Sequence, residues 1–483
     1  MMRLQSTRLA LAGLSLSLAA CVAGPPPEIA TPTPQLPAEF LYMPDTTSRA
    51  GLEALLPSND AAFNKLAGSV LDSSPSLTEA LARIDAARAG ARRAGAERLP
   101  NIGVDANVTE SRINPAQFGS DNPFAQAIDT TQVSYGANLT ARWDADLFGT
   151  LRAQERAAVA RIDAASAGAA AVRIALMGEI ATSVIDWRTL EARSQAIEAD
   201  VEAATQLASL ARSREEAGIA PGFDRVRAEA AASASRSRLA GLQSERVRIV
   251  GRLVTLTGMP AADVAAALSQ AAPASQSLAA PAALPSDLLA NRPDVIAAAA
   301  ELAASDADLA AAARARFPRL TLSAVLGLLA FDPEDLFDSD SAVRTLTAGI
   351  AAPLLDFGRL EAEIDGAAAN KRVAFQAYRG AVFQALGDAE AAYGLINAAD
   401  EEAALAAEER DMLERAASLA NDRYRAGLAS FLEVLEARRA ADASGERAAA
   451  ASGRAERARI VLWQALGGDG LQAMSQMTEQ SGG

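Results

Sequence analysis

The sequence carries one pattern twice, and this duplication limits the fold of the 483-residue chain more than any other feature. Phe148-Gly149 recurs as Phe357-Gly358, Ala217-Gly218 as Ala426-Gly427, and Gly258 as Gly467, each at an offset of 209 residues. Leu99-Pro100 recurs as Phe317-Pro318 at an offset of 218, so the segment between this pair and the Phe-Gly is longer in the first copy. An Ala- and Pro-rich stretch, 271–286, reads as the linker between a first repeat over 76–270 and a second over 287–467, with a tail over 468–483.

Each copy has the same order of elements. A helical stretch comes first, over 76–98 or 287–316, and a proline ends it. Two alternating segments predict strands over 101–112 and 130–144, and again over 319–330 and 343–355. After the Phe-Gly comes a helix of about 68 residues, 149–216 or 358–425. An Ala-Gly turn breaks it, and a second helix returns over 222–257 or 429–466. Val172, Leu176, Ile180, Val184 and Trp187 recur every three or four residues, as do Phe375, Tyr378, Val382, Leu386, Tyr393 and Ile396. That spacing gives one apolar stripe per helix. At about 1.5 Å per residue a 68-residue helix spans roughly 100 Å, a length for which an ordinary bundle has no use. Two such helices that turn back on themselves pack as coiled-coil hairpins. The composition agrees, because half the chain is apolar, much of that half is alanine, and aromatics are only 4%. Alanine is the best helix former.

The strands have period two. Ile102, Val104, Ala106 and Val108 alternate with Gly103, Asp105 and Asn107. Val133, Tyr135, Ala137, Leu139, Ala141 and Trp143 form a second apolar row, Leu320, Leu322, Ala324 and Leu326 a third, and Leu346, Ala348, Ile350 and Ala352 a fourth. One apolar and one polar face suit a small soluble sheet, and equally suit strands that cross a bilayer at a tilt. Four strands cannot close on themselves, and lipid tolerates no unpaired edge. Transmembrane strands would therefore need several copies: eight strands from two chains fill their own interior, whereas twelve from three leave a lumen. Tyr135 and Trp143 read either as interfacial anchors or as packing residues. Asp332, Glu334, Asp335, Asp338 and Asp340 read as a solvated outer loop; calcium is the alternative, without EF-hand spacing.

Charge and composition narrow the function. With 45 basic and 60 acidic residues the net charge is −15, which disfavours nucleic acid as a partner. The chain has no histidine and a single cysteine, Cys21. A His general base, a His–Cys zinc site, a Ser-His-Asp triad and an intrachain disulfide are thereby excluded. No Gly-rich phosphate loop is present, so the chain reads as a non-enzyme that needs no cofactor.

Arg3 and Arg8 precede an apolar run over 9–20 that is too short to span a bilayer as a helix and reads as a signal peptide over 1–20. The run ends in Leu18-Ala19-Ala20-Cys21, which resembles the lipobox of bacterial lipoproteins. In that reading Cys21 becomes the lipid-bearing first residue; the alternative is a secretory signal with a chance cysteine. Val22 after the cysteine suggests, in this resemblance, transfer to the outer membrane. A Pro-rich leash over 24–37 follows. No later segment reads as a membrane helix, so any crossing falls to the strands.

The lipobox, the duplicated strand–strand–long-helix halves, and Leu284-Pro285-Ser286-Asp287-Leu288-Leu289 with Arg292-Pro293-Asp294 together resemble the TolC-like outer membrane factors, in particular their OprM/NodT lipoprotein branch. The resemblance implies a mainly α protein with a transmembrane β-barrel. Each protomer would give four β-strands to a trimeric 12-stranded barrel, and long α-helical coiled-coil hairpins would form an α-barrel across the periplasm. The segment 21–75 would hold the anchor, the tether and an equatorial portion. The implied function is a passive exit duct for drugs or other toxic solutes, working with a periplasmic adaptor and an inner-membrane pump, often of the RND type. A type I protein secretion duct and a periplasmic adaptor or scaffold lipoprotein are the alternatives.

The same resemblance implies the site. Asp224 and Tyr424 match the inter-helix hydrogen-bond pair that holds the tunnel tip shut. Glu433 and Glu436 match the acidic positions that ring the constriction, and a spacing of three lets both share one helix side. Read from the residues alone, they are solvated coiled-coil carboxylates, two among 60 acidic residues. Gly218 and Gly427 mark the hairpin turns that an adaptor would meet. Ala429 stands where some members carry an arginine of the closing network.

Overall fold

The structure, a computed structural model, describes residues 28–44, 51–112, 114, 131–272 and 280–469. The signal peptide and Cys21 lie outside these residues, as do 273–279 of the linker and the tail from 470 onward. In chain order, a 3-10 turn at Leu52–Leu55 leads to α1 (Ala61–Ser73) and α2 (Pro75–Ala96), then β1 (Asn101–Arg112), β2 (Thr131–Asp144), α3 (Thr150–Glu216), α4 (Gly222–Thr257) and α5 (Ala261–Leu268). The second copy gives α6 (Asp287–Asn291), α7 (Pro293–Arg314), β3 (Arg319–Ala330), β4 (Ala342–Ala351), α8 (Arg359–Arg425) and α9 (Phe431–Ala465), with 3-10 turns at Pro333–Phe337 and Ser339–Ser341 between the strands.

The repeat markers have a conformational cause. Gly149, Gly218 and Gly258 have φ of 77°, 72° and 67°, and their counterparts Gly358, Gly427 and Gly467 have 85°, 75° and 91°. A side chain at such a left-handed position costs about 1–2 kcal/mol, so both copies need glycine at the same three places.

Several boundaries differ from the sequence expectation. The helix expected over 287–316 is two helices, because Arg292 precedes Pro293 and is extended (φ −81°, ψ 120°). A residue before proline is pushed out of the helical region. The fourth strand ends at Ala351, short of the expected 355, with Pro353 two residues on. Strands rarely continue through proline. The last helix starts at Phe431 with Ser430 as its cap, and not at 429. Helix α5 was not expected at all, and α2 starts at Pro75 and stops at Ala96. The segment just after the leash is docked: Phe40 is buried 5.4 Å from the Tyr393 ring, Tyr42 N–H donates to Glu390 at 3.2 Å, and Asn397 donates to the Tyr42 carbonyl at 2.8 Å.

The chain divides into two compact units, and the division falls inside α2, α3, α7 and α8. The unit formed by residues up to 32, 85–163 and 300–376 holds the sheet, ordered β1-β2-β3-β4 and antiparallel throughout. Asn138 donates to Asp105 across the polar face at 3.0 Å. The other face, with Val104, Leu326, Leu346 and Ile350, is exposed. Trp143 donates to the Arg98 carbonyl at 2.9 Å, so its indole is a strand-end tie. Lys371–Asp306 at 2.5 Å, Arg161–Asp308 and Arg98–Glu155 pair the adjoining helix ends.

The other unit buries the main core. Trp463, Tyr393, Leu66, Leu77, Ile180, Leu253, Leu268 and Leu288 are all fully buried in it. The apolar stripes of α3 and α8 meet here, which is why Val184 and Val382 share one cluster. An 18-residue window of α3 is apolar enough to cross a bilayer, but 67% of it is buried inside the protein, so its apolarity serves packing. The Arg292 motif closes this core: its guanidinium donates to the Ala465 carbonyl at 3.0 Å, to Asp388 at 3.0 Å and to Asp294 at 2.6 Å. It thereby satisfies the last carbonyls of α9 and ties three elements together.

Candidate functional site

Two hairpin turns lie together in the second unit. At the first, Gly218 N–H donates to the Glu215 carbonyl at 2.8 Å and Ile219 N–H to the Arg214 carbonyl at 2.9 Å. At the second, Gly427 N–H donates to the Tyr424 carbonyl at 3.0 Å and Leu428 N–H to the Arg423 carbonyl at 2.8 Å. Both are glycine-dependent ends that satisfy the last helical carbonyls. Beneath them Leu207, Ala211, Ala228, Tyr424, Phe431, Val434 and Leu435 form a small separate core, with Ala429 packed against it.

Tyr424 is the centre of this core. It is 4% exposed and makes an edge contact with Phe431 at 6.0 Å. Arg214, from the other hairpin, lies 4.1 Å from the centre of its ring and donates to its carbonyl at 3.0 Å. The guanidinium next to Tyr424 thus comes from Arg214, while Ala429 fills a packing position. A cation over an aromatic face is worth about 1–2 kcal/mol when partly desolvated. Among the described residues no Asp224–Tyr424 hydrogen bond is seen within one chain: Tyr424 is engaged by Arg214 and Phe431, and the Asp224 N–H donates to the Pro221 carbonyl at 3.0 Å.

The acidic residues divide by role. Glu433 completes a capping box on α9: its carboxylate accepts from Ser430 N–H at 2.6 Å, and Ser430 Oγ accepts from Glu433 N–H at 3.3 Å. These hydrogen bonds hold the Glu433 carboxyl below the usual glutamate range. Asp224 lies 209 residues before Glu433, at the equivalent place in the first turn of α4, where the helix dipole favours negative charge. Glu436 is exposed and makes no ion pair among the described residues. Around the turns Ile219, Phe223 and Leu428 are exposed by 74%, 62% and 69%, an apolar rim on two tight bends. Among the described residues no group of three acidic, Cys or His side chains is placed to hold a metal ion.

The family described as "Outer membrane efflux protein" matches residues 66–259 and 284–468, both repeats and nearly all of the folded chain. This chain belongs to the outer membrane efflux protein family. It is 29% identical over 474 residues to the pyoverdine export outer membrane protein OpmQ of Pseudomonas putida, covering 97% of this chain and 98% of that one. Its fold matches the outer-membrane channel OprN with a TM-score of 0.84 at 26% identity, covering 92% of this chain and 99% of that one. It matches the outer membrane protein VceC of Vibrio cholerae with a TM-score of 0.78 at 28% identity, covering 85% and 97%. The protein is thus an outer membrane channel component of efflux, with strands for a β-barrel and paired hairpins for an α-barrel.

In this efflux protein the hairpins also meet through a buried charge cluster that the sequence did not reveal. Asp200 on α3 and Asp442 on α9 are 4% and 7% exposed. Arg438 contacts both, at 3.3 and 2.7 Å, and Arg238 on α4 lies 3.7 Å from Asp200. Asp442 Oδ1 is the atom that takes the 2.7 Å ion pair with Arg438, whereas Asp200 Oδ2 has Arg238 no nearer than 3.7 Å. Burial, reinforced by a hydrogen bond to Asp442 and by its charge, pushes the Asp200 carboxyl up to about 7 against the pull of Arg438 and Arg238. The Asp200–Arg238 pair recurs at the 209-residue offset as Glu409–Arg447, 2.7 Å apart, whereas Asp442 falls on Ser233, so only the second aspartate is particular to one copy.

Proposed function

We propose that three copies of this chain form the exit duct of a tripartite efflux assembly, with a periplasmic adaptor at the hairpin turns and an inner-membrane pump, of the RND type, that supplies the energy. One observation carries the reading: the sheet has two unpaired edges and an exposed apolar face. Lipid requires those edges to be paired, and three copies give a closed barrel with a lumen. In detergent the protein is expected to have the mass of three chains and to conduct in planar bilayers. A monomer that stays soluble without detergent would sink the reading.

The proposed gate is the hairpin tip. Glu433 and Glu436 from three copies place six carboxylates around the constriction, a cation-favouring ring. The capping bonds keep Glu433 ionised at periplasmic pH. Asp224 and Tyr424 are the proposed inter-helix pair that holds this tip shut. Glu436→Gln with Glu433→Gln is expected to lower the cation-over-anion permeability ratio several-fold, since glutamine can still cap α9. Asp224→Ala is expected to raise single-channel conductance. Unchanged selectivity and conductance would refute the gate assignment and leave the duct intact.

The proposed lipid sits on Cys21, a diacylglyceryl thioether with an acylated amine, and several acyl chains hold the protein at the membrane. Metabolic labelling with palmitate is expected to mark the wild type and to miss Cys21→Ser.

A further inference from the structure

One charge stands inside the apolar face of the sheet. The strand pairing sets which residues share that face. Val104, Leu139, Leu326 and Arg344 are opposed in one row, and Ile102, Ala141, Ala324 and Leu346 in the next. Arg344 therefore has Leu326 opposite it and Ala342 and Leu346 on either side along its own strand. It is exposed and makes no ion pair among the described residues. The other described charges on this face, Glu110 and Arg112, are one of each sign and stand two residues apart at the end of β1.

Arg344 lies near the outer end of the sheet. The helices join the strands at Asn101, Asp144, Arg319 and Ala351 and lead toward the periplasm, so the opposite end, where β3 turns into β4, faces the exterior. Arg344 is the third residue of β4 from that end, about 7 Å along the strand from Ala342. Phe331 and Phe337, between β3 and β4, are 55% and 82% exposed, and Tyr135 sits opposite Ala330. Exposed aromatics at a barrel end mark the level of the headgroups. An arginine this close to that level lays its stem on the apolar wall and its charged end among the headgroups.

On its periplasmic side the face is hollow. The small residues Ala141 and Ala324 oppose each other between Leu139 and Leu346, and the slot that runs past them from Ile102 to Arg344 has a volume of about 500 Å³. A slot for a hydrocarbon chain with a guanidinium at its outer end matches an amphiphile with an anionic head, and guanidinium holds phosphate through paired N–H donors. We propose that Arg344 binds the phosphate of an outer-leaflet lipid whose acyl chain lies in this slot. An arginine in lipid without a protein partner takes its counter-ion from the lipid. The competing carboxylates are Asp338 and Asp340 of the β3–β4 turn, both exposed. The proposal rests on the sheet lying in lipid and is independent of how many copies close the barrel.

Native mass spectrometry of the full-length protein in detergent, titrated with phosphatidic acid and with diacylglycerol of the same chains, isolates the phosphate. The wild type is expected to bind phosphatidic acid roughly tenfold more tightly. Arg344→Gln is expected to lose that preference, Arg344→Lys to keep part of it, and Arg112→Gln to leave it unchanged. Ala324→Leu, which fills the slot, is expected to weaken both lipids. Inorganic phosphate in excess is expected to displace neither. Equal affinity of the wild type for the two lipids, or a full preference kept by Arg344→Gln protein that still conducts in planar bilayers, overturns the proposal and leaves the duct reading standing. Displacement by inorganic phosphate, or a preference that emerges only in Asp338→Asn with Asp340→Asn, overturns it as well, the first by showing a free-anion site and the second by showing that the turn holds the arginine. A wild type that stays soluble without detergent is the separate failure that removes the duct reading.

Discussion

Gly467→Ala is expected to cost about twice as much stability as the equivalent Gly258→Ala. Both glycines end the returning helix of their repeat with a left-handed φ, so both substitutions carry a penalty of about 1–2 kcal/mol. Their surroundings differ. A Cβ at Gly258 would meet nothing within 4 Å, whereas at Gly467 it would lie 2.5 Å from the Asn291 carbonyl oxygen, 2.8 Å from its carbon and 3.1 Å from the Arg292 nitrogen. Those atoms are backbone and cannot swing aside, and overpacking of this kind costs about 1–3 kcal/mol more. The end of α9 would have to retreat from α6, and that motion strains the bond from Arg292 to Ala465. Arg292→Met, which removes the same clamp without a clash, is expected to reproduce part of the loss. Thermal melts of the helical circular dichroism in detergent check both, with equal midpoints for Gly467→Ala and Gly258→Ala as the result that would refute this account.

The second large effect is on pH dependence. With its folded pKa raised to about 7 against an ordinary value of 3.8, Asp200 binds a proton more tightly in the folded state. Stability from this group is therefore greatest below the ordinary aspartate range, falls as pH rises, and reaches its full deficit above about 7. The charges that face it are Asp442 and Arg438 on α9 and Arg238 on α4, with Glu446 salt-bridged to Arg238 and Glu414 of α8 to Arg438. A proton on Asp200 lets it hydrogen-bond to Asp442, and its loss leaves two buried carboxylates side by side. Asp200→Asn is expected to stabilise the protein at pH 8 by about 2–4 kcal/mol and to flatten the change between pH 5.5 and 8. An unaltered slope in the variant would show that the aspartate is ionised throughout. The same pair joins α3 to α9, so a rise in pH is expected to loosen the contact between hairpins.

Different parts of this protein were legible at different levels. The four strands were readable because alternation needs only the chain's own pleat, and the hairpins because one stripe and one glycine turn define each. The break at Arg292 was also written in the sequence, as the proline that follows it, but a continuous apolar pattern from 287 onward hid it. Arg214 and Asp200 could not be picked out: each is one charge among many on an exposed-looking helix, and each has a key neighbour more than 200 residues away. The Asp224–Tyr424 pairing shows the converse, since the residues are present but in one chain the tyrosine is held by Arg214.

The sequence by itself determined the elements, their duplication and the six left-handed turns, because each follows from the local backbone or from a periodicity of two or 3.6. Only the tertiary structure decided which polar groups are buried together, where the segment after the leash docks and which strand edges stay free. Those outcomes depend on the rotation and axial register of one long helix against another, and a shift of a single residue, about 1.5 Å and 100°, would exchange every partner.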